Sequence, residues 1–290
     1  MLDTITSPVG SASGSDLALY LDAFDPPEPI PADALRTIGT DVIPPLLGAL
    51  SERGLSAYVT HDLNHVLGVC QASRGQMLLV PVNDPQFHPN ASREDTSVLL
   101  LARDSELVGC IASRLIWCEK TLAEEMESGR FWVSDPKTMW TQDRCVTNFH
   151  AARGIGSCPV VYSGSVYLDP SVRGGTTLAA MCRLHLLWLV CHWRWSWLVG
   201  VMEAGLLQHA FSIYGVDFVE QGLWITREDD DELHHYQLAL NRRAAAMEAW
   251  LRPEMGDLTR PMGRPPRSIL PREAPERLRR GKPGPAPVAA

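Results

Sequence analysis

The sequence has no CxxC pair, and its seven cysteines (Cys70, Cys110, Cys118, Cys145, Cys158, Cys182 and Cys191) are an odd number. Several lie inside apolar runs, where cysteine behaves as a small hydrophobe. A disulfide framework and a zinc site are therefore not expected, and a reducing compartment fits. No His, Cys and carboxylate group has ligand spacing, so no metal is expected. The acidic run Asp229–Glu232 lacks the glycine and distal glutamate of a calcium loop and reads as the start of a helix. There is no basic segment followed by an apolar stretch at the start, so no secretory signal is expected and the cytoplasm is the expected location. Uninterrupted apolar length is missing too. The most apolar window, His185–Met202, carries His192 and Arg194 in its middle, and charge there is costly in lipid. It reads as a buried helix end followed by a buried strand, with no membrane span. Net positive charge is also absent. At −8 over 290 residues, nucleic acid is not the expected partner of the folded part. No internal repeat is visible.

What is present divides unevenly. Residues 1–31 are rich in Ser, Gly, Pro and Asp and are expected to be disordered. Residues 251–290 hold nine basic side chains against four acidic, which leaves this Pro/Arg-rich tail at +5 and residues 1–250 at −13. The tail lacks periodic apolar residues. It is expected to be disordered and dispensable for folding. Between them, residues 32–250 form one expected domain of mixed α/β class.

From Ala32 the apolar spacing is helical, with an interruption at Pro44 and Pro45. Asp62 is placed to cap a second short helix. The run Gln76–Val82 reads as a strand, and Thr96–Trp117 as a hairpin around a polar turn at Asp104–Glu106. Residues 121–157 form a long insertion, helical at first and then without period, holding Trp132, Trp140 and His150. A strand at Pro159–Pro170, a helix from about Thr176, a buried strand at Ser196–Met202 and a helix ending at Gly215 follow. Val216–Glu228 reads as a strand pair or one bent strand. Asp229–Arg252 reads as a polar amphipathic helix with His234 and His235 solvated on it. The run His192–Trp197 reads as a helix end, a turn and a strand start, with its Trp rings in the core or at its rim.

The segment with chemical content is Val160–Phe218. A strand ends in VYLDPSVRGG, and a helix follows. Glycines allow tight turns, and the first helical turn exposes unpaired N–H groups that suit a diphosphate. Thr176 and Thr177 add hydroxyls, and Arg173 a charge-assisted contact. The plainer alternative is an ordinary strand-to-helix turn.

Here the chain resembles the GCN5-related N-acetyltransferase superfamily, whose hallmark is a strand, Arg/Gln-x-x-Gly-x-Gly/Ala, and a helix that grips the CoA pyrophosphate. The matching residues are Arg173-Gly-Gly-Thr-Thr-Leu178, the lead-in VYLDPSVRG, the strand WLVGVM and the closing IYGVDF. Thr176 stands where the family has its first loop glycine, and Leu178 where it has Gly or Ala. The resemblance implies a mixed central sheet with flanking helices and the insertion between the third and fourth core strands. It implies acyl transfer from acetyl-CoA or another acyl-CoA to a small amine or an amino-acid-like acceptor, in a gap between two splayed strands. By position, Val166, Tyr167 and Leu168 supply the strand that meets the thioester, and Arg173, Gly174, Gly175, Thr176 and Thr177 the pyrophosphate loop. Tyr214 matches the tyrosine that protonates the departing thiolate; its alternative is an aromatic at a helix end. Glu203 is the nearest carboxylate for the base; its alternative is a first-turn helix acid. The insertion falls where it would shape the acceptor pocket. The altered loop also admits two other readings: thioesters presented by an acyl-carrier protein, or a catalytically silent protein that binds a ligand or partner.

Overall fold

The computed structural model describes residues 30, 32–77, 79–140, 145–147, 151–174, 176–203, 206, 213–216, 218–226 and 233–262. The expected disordered segment 1–31, apart from Ile30, lies outside the described residues. So do His150, the run Asp229–Glu232, residues 263–290 and most of the helix expected before Gly215.

Helix α1 (Ala32–Thr37) runs through a wider π-helical turn, Ile38–Val42, into α2 (Ile43–Ser51). Pro44 and Pro45 have no N–H to donate. They fall in the first turn of α2, and the Ile43 N–H reaches back to the Ile38 carbonyl. The Pro-Pro pair thus changes the helical pitch without breaking the rod. Strand β1 (Ser56–Thr60) leads to α3 (Asn64–Ala72), where Asp62 accepts from the Asn64 N–H at 2.8 Å. Strands β2 (Thr96–Arg103) and β3 (Glu106–Cys118) form the expected hairpin. Its turn residues Asp104 and Ser105 both have positive φ, 49° and 70°, as a tight turn matched to strand twist requires.

The insertion is more ordered than its sequence implies. It contains α4 (Leu122–Glu127), α5 (Pro136–Met139), β4 (Cys145–Thr147) and α6 (Ala151–Gly154). A reciprocal cap between Thr121 and Glu124 starts α4. Buried Glu125 pairs with Arg130 at 2.7 Å and accepts the Glu119 and Lys120 N–H groups.

Then come β5 (Cys158–Leu168), α7 (Thr177–His192), β6 (Trp197–Glu203), β7 (Phe218–Thr226), β8 (Leu233–Arg242) and α8 (Arg243–Trp250). The sheet has eight strands in the order β1-β2-β3-β5-β6-β8-β7-β4. Among its pairs β5–β6 is parallel, with α7 as the crossover. One core lies between the sheet and α2, α7 and α8; a second lies under the insertion on the opposite face. Thirteen of the sixteen residues of α7 are buried, so this helix is apolar on nearly every side rather than on one stripe. Among the described residues, no helix is long and apolar enough to cross a membrane. The window His185–Met202 is split between α7 and β6, as its composition implies.

Four expectations are corrected. No strand forms among the described residues of Gln76–Val82: Leu79 and Val80 pair with nothing in the sheet, and Pro81–Asn83 is a 3-10 turn, since Pro81 cannot donate to a ladder. Leu233–Arg242 is not helical. It is β8, inserted between β6 and β7, with Tyr236, Leu238 and Leu240 alternating into the core under the insertion. A period of two was hidden in a helix-favouring composition, and sheet pairing overrides propensity. His234 and His235 are consequently half-buried; His235 stacks on Trp224 at 5.1 Å, and burial lowers its pKa. Finally, the chain does not leave the fold at Leu251. Met255 and Gly256 are buried, and Arg183, 1% exposed on α7, donates to the carbonyls of Met255 (2.8 Å), Asp257 (2.9 Å) and Arg260. A buried guanidinium needs acceptors, and this segment supplies them. Within the stretch Val216–Glu228, Phe218–Thr226 forms one strand, with a register shift beside Gly222 (φ 120°).

Candidate active site

Strands β5 and β6 stay paired over only three positions, Val160–Trp197, Val161–Leu198 and Tyr162–Val199. Beyond them β5 follows β3 as far as Leu168, while β6 follows β8 to Glu203. The two strands therefore part in the middle of the sheet. A bulge in β5 accompanies the parting. Cys110 faces Tyr167 and Ala112 faces Gly164, so Ser165 and Val166 both stand opposite Ile111. Ser165 has φ 51°, a left-handed conformation that a serine adopts at a cost. Glycines flank the fork. A Cβ on Gly164 would lie 2.5 Å from the Tyr162 hydroxyl, and one on Gly200 would lie 3.4 Å from the Ser163 carbonyl oxygen.

The parting opens a cavity of about 670 Å³. Ser163–Val166 line one side and Gly200–Glu203 the other. The insertion contributes Trp132 and Trp140, stacked at 6.3 Å and 15°. Trp132 is fixed by its indole N–H on the Met126 carbonyl, and Trp140 by one on that of Glu127. Gly129, at φ 85°, allows Trp140 to close over it; a Cβ there would sit 2.2 Å from the indole. These two rings bring the insertion to the cavity wall. Its aromatic walls and few polar groups are the usual makeup of a small-molecule site. The carboxylates in the lining are Asp84 and Glu203, and no Lys or Arg among the described residues lines it.

Of the residues singled out from the sequence, the fold brings Val166, Glu203 and Tyr214 to this cavity. Glu203 is exposed at the end of β6. Tyr214 is half-buried, and its hydroxyl donates to the Cys182 thiol of α7. Burial, with Cys182 beside it, raises the phenol well above its ordinary range. Tyr167 and Leu168 are buried instead: Tyr167 packs toward α3, and Leu168 into the core beside α7.

The glycine loop is committed elsewhere. Arg173 is exposed, but its guanidinium donates to the Leu168 carbonyl at 2.8 Å and to Gln76 at 3.2 Å, and lies 5.9 Å from the Tyr167 ring. The Val172 and Arg173 carbonyls accept from Arg53. Thr176 begins α7 without a side-chain cap bond, and Thr177 is fully buried with its hydroxyl unpaired. Gly174 has φ 96° and open space around it. Gly175 lies outside the described residues. Among the described residues, no group of three or more His, Cys, Asp or Glu side chains is placed to hold a metal ion.

Sequence reading missed Asn83, Asp84 and Cys182. Asn83 and Asp84 fall in a segment that patterning assigns to a strand end and loop. Cys182 looks like any core cysteine, and only the folding of Tyr214 against α7 distinguishes it.

The strand order, the parallel pair with its helical crossover and the parting of β5 from β6 form the mixed sheet that the sequence resemblance implies. No protein-family model matches the sequence, and no curated protein sequence matches it. Solved structures overlap it in part. FeeM, an N-acyl amino acid synthase from uncultured soil microbes, aligns over 66% of this chain and 92% of its own at 10% identity, with a TM-score of 0.40. Arabidopsis thaliana NAA60 in complex with acetyl-CoA aligns over 65% and 98% at 12% identity, with a TM-score of 0.38. An acetyltransferase of the GNAT family from Streptococcus pneumoniae aligns over 64% and 98% at 7% identity, with a TM-score of 0.36. At these scores none of the three bears on the activity.

Proposed function

We propose that this chain is an acyltransferase of the GCN5-related N-acetyltransferase fold, moving an acyl group from an acyl-CoA to an amine. The observation that supports this most is the fork itself. A thioester laid between β5 and β6 would present its carbonyl to the bulged backbone at Ser165 and Val166, which neither β3 nor β6 pairs in register. Backbone N–H groups fixed there would hold the oxyanion as the amine attacks. The C–N bond forms, the C–S bond breaks, the amine gives up a proton and the sulfur takes one. In this reading Glu203, one of the two carboxylates that line the cavity, receives the first, directly or through water, and Tyr214, which lines it too, supplies the second. A phenol with a raised pKa remains an acid at all ordinary pH. The acidic and aromatic lining favours an amine with an apolar body over an acceptor that carries its own carboxylate.

The committed loop favours a second reading, in which a carrier protein presents the thioester on its pantetheine arm. Arg173 is engaged by Leu168 and Gln76, and Thr177 faces no solvent, so a nucleotide diphosphate would have to displace these contacts. Calorimetric titration with acyl-CoA and with the matching acyl-pantetheine separates the two, alongside an assay of thiol release in the presence of an amine panel. Tighter binding of the CoA thioester supports the first reading. Equal binding with turnover supports the second. No saturable binding of either thioester removes both and leaves a silent binding protein.

A further inference from the structure

Asn83 is fully buried behind the cavity wall, in the 3-10 turn that replaces the expected strand. Its side-chain amide donates to the Ser165 hydroxyl at 3.1 Å and to the Ala112 carbonyl at 3.4 Å. Ser165 is the left-handed residue of the β5 bulge, and Ala112 is the β3 residue where regular pairing with β5 resumes. A single side chain thus joins the two strands where their ladder is interrupted. Cys110 adds a weaker contact from its thiol to the Ser165 carbonyl at 3.5 Å. A strained, unpaired bulge persists only when its surroundings fix it. Asn83 is itself fixed, because its backbone N–H donates to the Val80 carbonyl at 2.9 Å, and its neighbours Pro81 and Asp84 line the same cavity as Ser165.

We infer that Asn83 is a positioning residue: by clamping the Ser165 bulge to β3 from outside the cavity, it sets the β5 backbone that faces the thioester. This rests on the acyl-transfer reading for its consequence, though not for its geometry. Asn83 is not among the residues that line the cavity. Its effect passes through Ser165, and it should show in the orientation of the oxyanion donors rather than in ground-state binding.

The test compares the full-length protein with Asn83→Ala, Ser165→Ala and the double variant. Backbone amide exchange of the peptide holding Ser165–Tyr167 should quicken by about 10-fold in Asn83→Ala, the scale of losing a hydrogen bond or two. Exchange in β1, β7 and β8 should be unchanged. With the thioester and amine found active for the wild type, kcat should fall by about 10-fold or more at nearly constant KM for the thioester. The double variant should be no slower than the worse single, since both singles remove the shared Asn83–Ser165 contact. Unchanged exchange at Ser165–Tyr167 overturns the inference. So does a general rise across the sheet with kcat per folded molecule preserved, which marks Asn83 as a packing residue. If Asn83→Ala does not fold, Ser165→Ala alone decides by the same two readouts. A wild type that consumes no thioester removes the acyl-transfer reading, while the exchange comparison still decides whether Asn83 holds the bulge.

Discussion

Tyr214 combines two properties that a proton donor needs: it lines the cavity, and its neighbourhood keeps its proton on. Its hydroxyl already donates to a sulfur, that of Cys182. Protonating a leaving thiolate would require it to exchange one sulfur partner for another. Tyr214→Phe keeps the ring packed beside Cys182 of α7 and removes only the hydroxyl. Thioester turnover should fall by about 10- to 1000-fold with affinity nearly preserved. The sign of the pKa shift matters for the pH profile. Burial raises the phenol's pKa and so favours the neutral, donating form; the wild type should show no alkaline loss of rate from Tyr214 up to about pH 10. Full activity in the variant, measured by thiol release, would remove Tyr214 from the mechanism. The residue was legible in the sequence through the IYGVDF pattern. Its partner was not, because the contact joins two residues 32 positions apart that share no motif.

At the scale of elements, the insertion supplies part of the cavity wall. Its sequence gives a helix start and little else, since its pieces are short and its order comes from Glu125, Arg130 and the stacked Trp132 and Trp140. Trp140→Ala would enlarge the cavity at the wall that the insertion supplies. Selectivity between a bulky and a small amine should shift toward the bulky one by about 10-fold, the scale of one or a few apolar contacts, with thioester affinity little changed. Competition assays with paired amines check this. A loss of thioester affinity at constant selectivity would place the acceptor elsewhere. β8 shows the opposite case, an element whose composition misleads. Ala, Leu, Arg and Glu dominate the run from Glu232 to Arg252, yet its first half forms a central strand because β6 and β7 present edges that only a strand can satisfy.

For the molecule as a whole, residues 251–262 are part of the folded body. A chain ending at Trp250 would leave Arg183 buried without its three carbonyl partners, and would uncover the place where Gly256 meets Asp41 at a distance too short for a side chain. An unpaired buried charge costs roughly 3–5 kcal/mol, so Tm should drop by about 10 °C. A chain ending at Met262 keeps those partners and is the control. Thermal unfolding of the two checks it; equal Tm values would mean that Arg183 finds water or other acceptors.

The sequence by itself determined the elements whose signals are local. These are the β2–β3 hairpin through its turn, α7 through its length, β6 through its apolar run, and the strand–glycine loop–helix order that carries the family resemblance. It also brought Val166, Glu203 and Tyr214 into consideration before their meeting place was known. Only the tertiary structure decided that the parting implied by the resemblance begins after Tyr162, that the loop's Arg173 and Thr177 are already engaged or buried, and that Asn83 bonds to the bulge. The physical reason is range. Turns, caps and periodicity are fixed within a few residues, whereas a fork in a sheet depends on which distant strands compete for each edge, and that competition has no local signature.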